Sequence, residues 1–128
     1  MRVLALDYGR ARTGLAVSDP SGTVARPVGV VERVRGPQGM RRLLDLVAEH
    51  EPERIVVGLP LTLAGEEGEQ ARETRAFVAQ LAGRVDIPVD TYDERFTTVL
   101  ADRERSRHEP DAVAAAHLLE GYLRRLAG

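Results

Sequence analysis

Val3-Leu4-Ala5-Leu6-Asp7-Tyr8-Gly9, followed by Arg10 to Thr13 and then by Gly14-Leu15-Ala16-Val17-Ser18-Asp19, decides how the rest of this chain is read. Four consecutive apolar residues, Val3 to Leu6, describe a strand buried on both faces. A second apolar run, Leu15 to Val17, begins too soon for a helix to intervene, so the two strands form a hairpin. Asp7 and Gly9 fall where the first strand should end. Asp7 admits two readings there. It can start a turn, which Asp-x-Gly does well, or it can hold a metal ion or border a phosphate, with Gly9 letting the backbone pass close by. The positions of the other carboxylates decide between them.

Working outward, Asp19-Pro20-Ser21-Gly22 is a turn, and Asp19 is explained by turn chemistry. Thr23 to Val31 reads as a third strand, and Pro27 inside it favours a sheet edge or a bulge. The first three strands then make an antiparallel meander. Gly36 to Gly39 breaks the chain, and a helix follows to about Glu51, with Met40, Leu43, Leu44 and Val47 as its apolar stripe. Ile55 to Gly58 is a short apolar strand, parallel to an earlier one because a helix separates them. A glycine-rich loop from Gly58 to Gly68 leads to a second helix, Glu69 to Ala82, closed by Gly83. Pro88 to Tyr92 is a fifth strand with Asp93, Glu94 and Arg95 just past its end. Thr97 or Thr98 can cap a helix to about Ser106, and Pro110 opens the last helix. The order βββαβαβαα predicts an α/β fold: a mixed five-stranded sheet with helices on both faces, one domain over residues 1–128.

The composition narrows the function classes. The chain has 128 residues, 43% of them hydrophobic but only 4% aromatic, so its core is built from Val, Leu and Ala. Without cysteine there is no disulfide framework, thiolate nucleophile or cysteine zinc site. No apolar run approaches a membrane span, and Asp7 interrupts the one N-terminal stretch that could imitate a signal peptide, so a soluble, cytoplasmic protein is expected. The net charge of −2 does not advertise a nucleic-acid binder. All 18 basic residues are arginine, however, whose planar fork suits phosphate oxygens. A local arginine patch can therefore bind a phosphate backbone despite the acidic total.

Sites in such sheets form beyond the carboxyl ends of the parallel strands. Asp7 ends the first strand and Glu94 follows the fifth, so parallel neighbours would aim both acids into one crevice, bordered by the Gly58 loop. Asp111 starts the helical series Asp111, Ala115, Leu118, Tyr122, which places it in the first turn on the sheet-facing side. By itself Asp111 could simply complement the helix dipole; beside Asp7 and Glu94 it makes a site. Three clustered carboxylates repel unless a cation lies between them. Oxygen ligands without histidine or cysteine suit Mg²⁺ or Mn²⁺. Two such ions about 3.5–4 Å apart are the usual arrangement for in-line attack of water on a phosphodiester. Asp93 is the nearest candidate for a fourth acid.

The chain resembles the YqgF/RuvX family of RNase H-like proteins, described as pre-16S rRNA nucleases or Holliday-junction resolvases. The resemblance rests on Leu6 to Gly9 with Gly14 to Asp19, on Ile55 to Pro60 with Gly65, on Asp93 to Thr98 and on Asp111 to Ala115, in the family's order. It implies an RNase H-like fold similar to RuvC resolvases, with metal-binding acids at Asp7, Glu94 and Asp111. One departure is visible: only Val99 to Pro110 lie before Asp111, where the family usually carries a longer basic segment. Candidate substrate contacts are Gly9, Arg10, Arg12, Gly58, Arg95 and Thr97; for Arg95 a structural salt bridge is the equal alternative. Arg103, Arg105 and Arg107 mix with acids and read as a solvated face, and His117 as a surface or interface residue.

The expected activity is metal-dependent hydrolysis of phosphodiesters in structured RNA, in 5′-end processing of pre-16S rRNA, with branched DNA as the other substrate. The rivals are a Holliday-junction resolvase, expected to act as a symmetric homodimer, and a non-catalytic RNA-binding ribosome-assembly factor. An actin-like ATP-binding phosphotransferase shares the Asp-x-Gly opening but needs a second lobe that 128 residues do not provide.

Overall fold

The computed structural model describes residues 1–60, 65, 67–93 and 110–128. Five strands, β1 (Val3–Asp7), β2 (Arg12–Ser18), β3 (Ala25–Glu32), β4 (Arg54–Leu59) and β5 (Val89–Asp93), form one sheet in the order β3-β2-β1-β4-β5. β1 to β3 are antiparallel neighbours, whereas β4 and β5 run parallel to β1. Three helices are described: α1 (Pro37–His50), α2 (Glu69–Ala82) and α3 (Ala112–Ala127). The helix expected from Thr97 or Thr98 to Ser106 lies outside the described residues.

Strand alternation divides the core in two. Leu4, Leu6, Leu15, Val17, Ile55 and Val57 face α1 and α2, meeting Met40, Leu43, Leu46, Phe77 and Leu81. Val3, Ala5, Ala16 and Val56 face the other way, against Ala115, Leu118, Leu119 and Tyr122 of α3. Small residues recur on this second face, which is why α3 lies close to the sheet. Full burial of Phe77 contributes about 3 kcal/mol, and its ring stacks on Tyr8 at 4.8 Å.

Pro27 has both expected effects. β3 is an edge strand, and its pairing with β2 slips as Leu15 opposes Gly29 but Ala16 opposes Pro27, leaving Val28 as the extra residue of a bulge. α1 starts earlier than its apolar stripe suggested. Pro37 takes the first position, where a missing N–H costs nothing. Gly39, inside the helix, must be glycine, because a Cβ there would overlap the carbonyls of Glu32 and Arg33. α2 has the bounds read from the sequence. α3 does not: Pro110 and Asp111 precede it, and Asp111 is the N-cap instead of a first-turn residue.

Candidate active site

Asp7 is the last residue of β1 and continues the Val3, Ala5 series, so its side chain rises on the α3 face of the sheet. It is buried, at 7% exposure. Its neighbour across the antiparallel ladder is Gly14. On the parallel side Leu6 pairs with Val57, which puts Gly58 one step on, alongside Asp7. Glycines therefore flank the carboxylate on both adjoining strands. The sheet thus presents bare backbone on both sides of Asp7.

The chain before α3 closes over this floor. A Cβ on Gly14 would overlap the Asp111 backbone, and a Cβ on Gly9 would overlap the Pro110 ring and the Arg12 carbonyl. Two glycines of the first hairpin thus seat Pro110 and Asp111 beside the end of β1. Asp111 Oδ1 accepts the Ala114 N–H at 2.8 Å, as an N-cap does. This occupies one of its two carboxylate oxygens. Capping and a ligand role are compatible, since an ionised carboxylate has about four lone-pair sites.

Of the other acids, Asp93 ends β5 one residue after Tyr92. Tyr92 packs with α3, so alternation turns Asp93 to the α1–α2 side of the sheet, away from Asp7. Glu94, Arg95 and Thr97 lie outside the described residues. Among the described residues no group of three metal-ligating side chains comes together; the structure brings Asp7 and Asp111 to the two sides of Gly14. Carboxylate oxygens over a glycine floor, without histidine or cysteine, are a donor set that fits Mg²⁺ or Mn²⁺.

The candidate substrate contacts differ in their engagement. Arg10 is exposed, yet its guanidinium forks onto Glu73 of α2, Nη2 to Oε1 at 2.7 Å and Nε to Oε2 at 3.1 Å. The Tyr8 hydroxyl also donates to Glu73 Oε2 at 2.8 Å. Arg10 first, then Tyr8, holds the Glu73 carboxyl down at about 2. Arg12, at the start of β2, is exposed and stands opposite Glu32. Gly9 and Gly58 border Asp7 as described. Glu73 was not singled out from the sequence, and no local signal marks it: it is one of several acids along α2, 63 residues from Arg10.

The remaining assignments concern the frame. Asp19 accepts the Thr23 and Val24 N–H groups and the Ser21 hydroxyl, which hold its carboxyl well below the usual carboxylate range, Ser21 contributing most. It is turn chemistry, as read. His117 lies within 3.4 Å of Glu120, one turn on along α3.

A carboxylate ending β1 beside a glycine-lined hairpin, under a helix that starts with a second carboxylate, carries the motifs of one family throughout. The family model described as "RuvX: Holliday junction resolvase" matches residues 1–125. The chain belongs to the RuvX family. A RuvX relative from Roseiflexus sp. (strain RS-1), called "Putative pre-16S rRNA nuclease", is 39% identical over 95% of this chain and 93% of its own length. One of the same name from Sulfurihydrogenibium sp. (strain YO3AOP1) is 39% identical over 98% of this chain and 92% of its own. Among solved structures, Thermus thermophilus RuvC in complex with a Holliday junction substrate aligns with a TM-score of 0.61 at 19% identity, covering 99% of this chain and 96% of that one. The fowlpox virus resolvase, solved with Holliday junction DNA, aligns over both whole chains with a TM-score of 0.58 at 11% identity. At such identities the likeness shows the fold: this RuvX chain has the RNase H-like fold of the RuvC resolvases. No helix among its described residues is long and apolar enough to cross a membrane.

Proposed function

We propose that the chain is a metal-dependent nuclease that hydrolyses phosphodiester bonds in the 5′-end processing of pre-16S rRNA. The observation that carries this reading is the placement of Asp7, buried at a strand end between Gly14 and Gly58, with Asp111 seated on Gly14. The names of the RuvX relatives supply the substrate class.

Asp7, Glu94 and Asp111 would hold Mg²⁺ or Mn²⁺, two ions as is usual for in-line attack on a phosphodiester. Bound there, the ions would supply an activated water and stabilise the departing oxygen. The protein's own part is positioning. Asp7 is buried beside bare backbone, and the Ala114 N–H orients Asp111. Gly9 and Gly14 seat Pro110 and Asp111 beside Asp7, and Gly58 puts bare backbone on its other side. Arg10, clamped by Glu73, and Arg12 lend positive charge to the hairpin side of the crevice, and Arg95 and Thr97 complete the substrate contacts.

A second reading, cleavage of branched DNA by a symmetric homodimer, is favoured by the family's description and by the junction-bound neighbours. One assay separates the two. An end-labelled pre-16S rRNA leader and a four-way DNA junction are incubated with Mg²⁺, Mn²⁺ or chelator, using the native chain and Asp7→Asn. Cutting of the RNA that requires metal and Asp7 is expected. Preference for the junction moves the activity to DNA, and RNA binding without cutting under any metal makes the chain an assembly factor.

A further inference from the structure

Four arginines surround the hairpin turn at the carboxyl end of β1. Arg10 and Arg12 belong to the hairpin, and Arg33 and Arg35 to the turn between β3 and α1. The two turns are joined. The Arg33 N–H donates to the Ala11 carbonyl at 3.0 Å, and Val34, fully buried between two exposed arginines, anchors the second turn in the core.

These cations are not equivalent. Arg10 is committed to Glu73, and Arg35 Nε donates to Gln80 Oε1 at 3.0 Å, while Gln80 Nε2 returns a bond to the Arg35 carbonyl. Arg12 stands opposite Glu32. The Arg33 guanidinium makes no hydrogen bond or ion pair among the described residues. Its backbone is also unusual: φ is 47°, in the left-handed region that glycine occupies freely and other residues rarely do. The turn would be served better by glycine, so the fold gives no reason for arginine at this position. Glu32, Glu69 and Glu73 are the acids near this group, and they leave it a positive surplus.

We propose that Arg33 is a phosphate-contacting residue that guides the nucleic-acid backbone across the β1–β2 hairpin. The inference rests on the nuclease reading above. Asp7, Gly14 and Val30 are successive partners across the sheet, and Arg33 lies three residues beyond Val30. With strands about 4.8 Å apart and about 3.3 Å per residue, Arg33 is on the order of 14 Å from Asp7. It therefore meets phosphates flanking the cleaved bond, not the bond itself. The ligand is the phosphodiester backbone of a structured nucleic acid, whose oxygens match the guanidinium fork. Such a contact sets position and reads no sequence.

The test is binding to a fluorescent RNA hairpin with a single-stranded leader and to a four-way DNA junction, in chelator and across a salt series. Arg33→Gly removes the charge and suits the turn's φ, with a thermal melt to verify the fold. Arg33→Lys keeps the charge, and Arg84→Ala removes an exposed arginine before β5, at the opposite end of the sheet. Arg33→Gly is expected to weaken binding roughly 3- to 10-fold and to reduce the salt slope by about 0.7–0.9. Arg33→Lys should keep the slope, and Arg84→Ala should keep both affinity and slope. A loss confined to RNA or to the junction supports the proposal and names the substrate that uses this path. Unchanged binding in Arg33→Gly, or an equal loss in Arg84→Ala, overturns it. Metal-dependent cleavage by the native chain, measured alongside, keeps the two readings apart. Cleavage with Arg33-independent binding removes Arg33 alone, and Arg33-dependent binding without cleavage removes the nuclease alone.

Discussion

The backbone of Asp111 lies directly on Gly14, leaving no space for a Cβ between them. Because Gly14 is also the ladder partner of Asp7, this contact ties the start of α3 to the end of β1. Replacing Gly14 with alanine should displace Pro110 and Asp111. Overpacking of this kind costs about 1–3 kcal/mol, and cleavage should fall by a larger factor than stability alone explains. Gly29→Ala is the control, since a Cβ there meets nothing within 4 Å. Urea midpoints and cleavage rates for the two variants check the prediction. Equal, small effects in both would remove Gly14 as the seat of Asp111.

Asp111 has two roles that substitution can separate. Asparagine caps a helix about as well as aspartate, whereas alanine costs about 0.5–2 kcal/mol. Asp111→Asn should therefore keep the melting temperature near that of the native chain while losing most metal-dependent cleavage. Asp111→Ala should lose both. If Asp111→Asn cleaves normally, the side chain is a cap and nothing more.

On the nuclease reading, Asp7 is a buried carboxylate whose ionised form a bound cation would stabilise. Without metal, Asp7→Asn should melt at or above the temperature of the native chain. Added Mg²⁺ or Mn²⁺ should raise the native melting temperature in a concentration-dependent way, as any ligand of the folded state does, and should leave Asp7→Asn unmoved. Thermal melts with and without chelator test this independently of cleavage.

The pairing of Glu73 with Arg10 and Tyr8 predicts an acid-sensitive contribution. The folded carboxyl titrates at about 2, below its ordinary value of 4.5, so the folded state favours the ionised form. That stability is fully present above pH 4.5 and disappears as the pH falls through 2. Arg10 is largely exposed, so solvent screens the pair and the contribution is small. The stability gap between the native chain and Glu73→Gln should thus be constant near neutrality and close between pH 4.5 and 2. Denaturant midpoints against pH measure it, and a gap that persists at pH 2 would assign it to packing.

Local chemistry was enough to determine the five strands, the three described helices and their order. Val3 to Leu6 is apolar on both sides because both sides of β1 are covered, and the α2 bounds follow from its apolar spacing and Gly83. Pro27 required an edge or a bulge from the absence of its N–H alone. The sequence also marked Asp7, Gly9 and Gly14 as a unit and carried the family's motifs in order. It did not determine what meets what at long range. Helical spacing put Asp111 in the first turn, whereas the structure makes it the cap, packed against Gly14, 97 positions earlier in the numbering. Asp93 and its strand neighbours differ in face only once β5 is registered on β4. Glu73 and Arg33 carry no local signature. Their significance comes from Arg10 reaching α2 and from Ala11 receiving the Arg33 amide. Periodicity and turn chemistry act over a few residues, whereas these contacts depend on how the layers pack, and that was decided only in the tertiary structure.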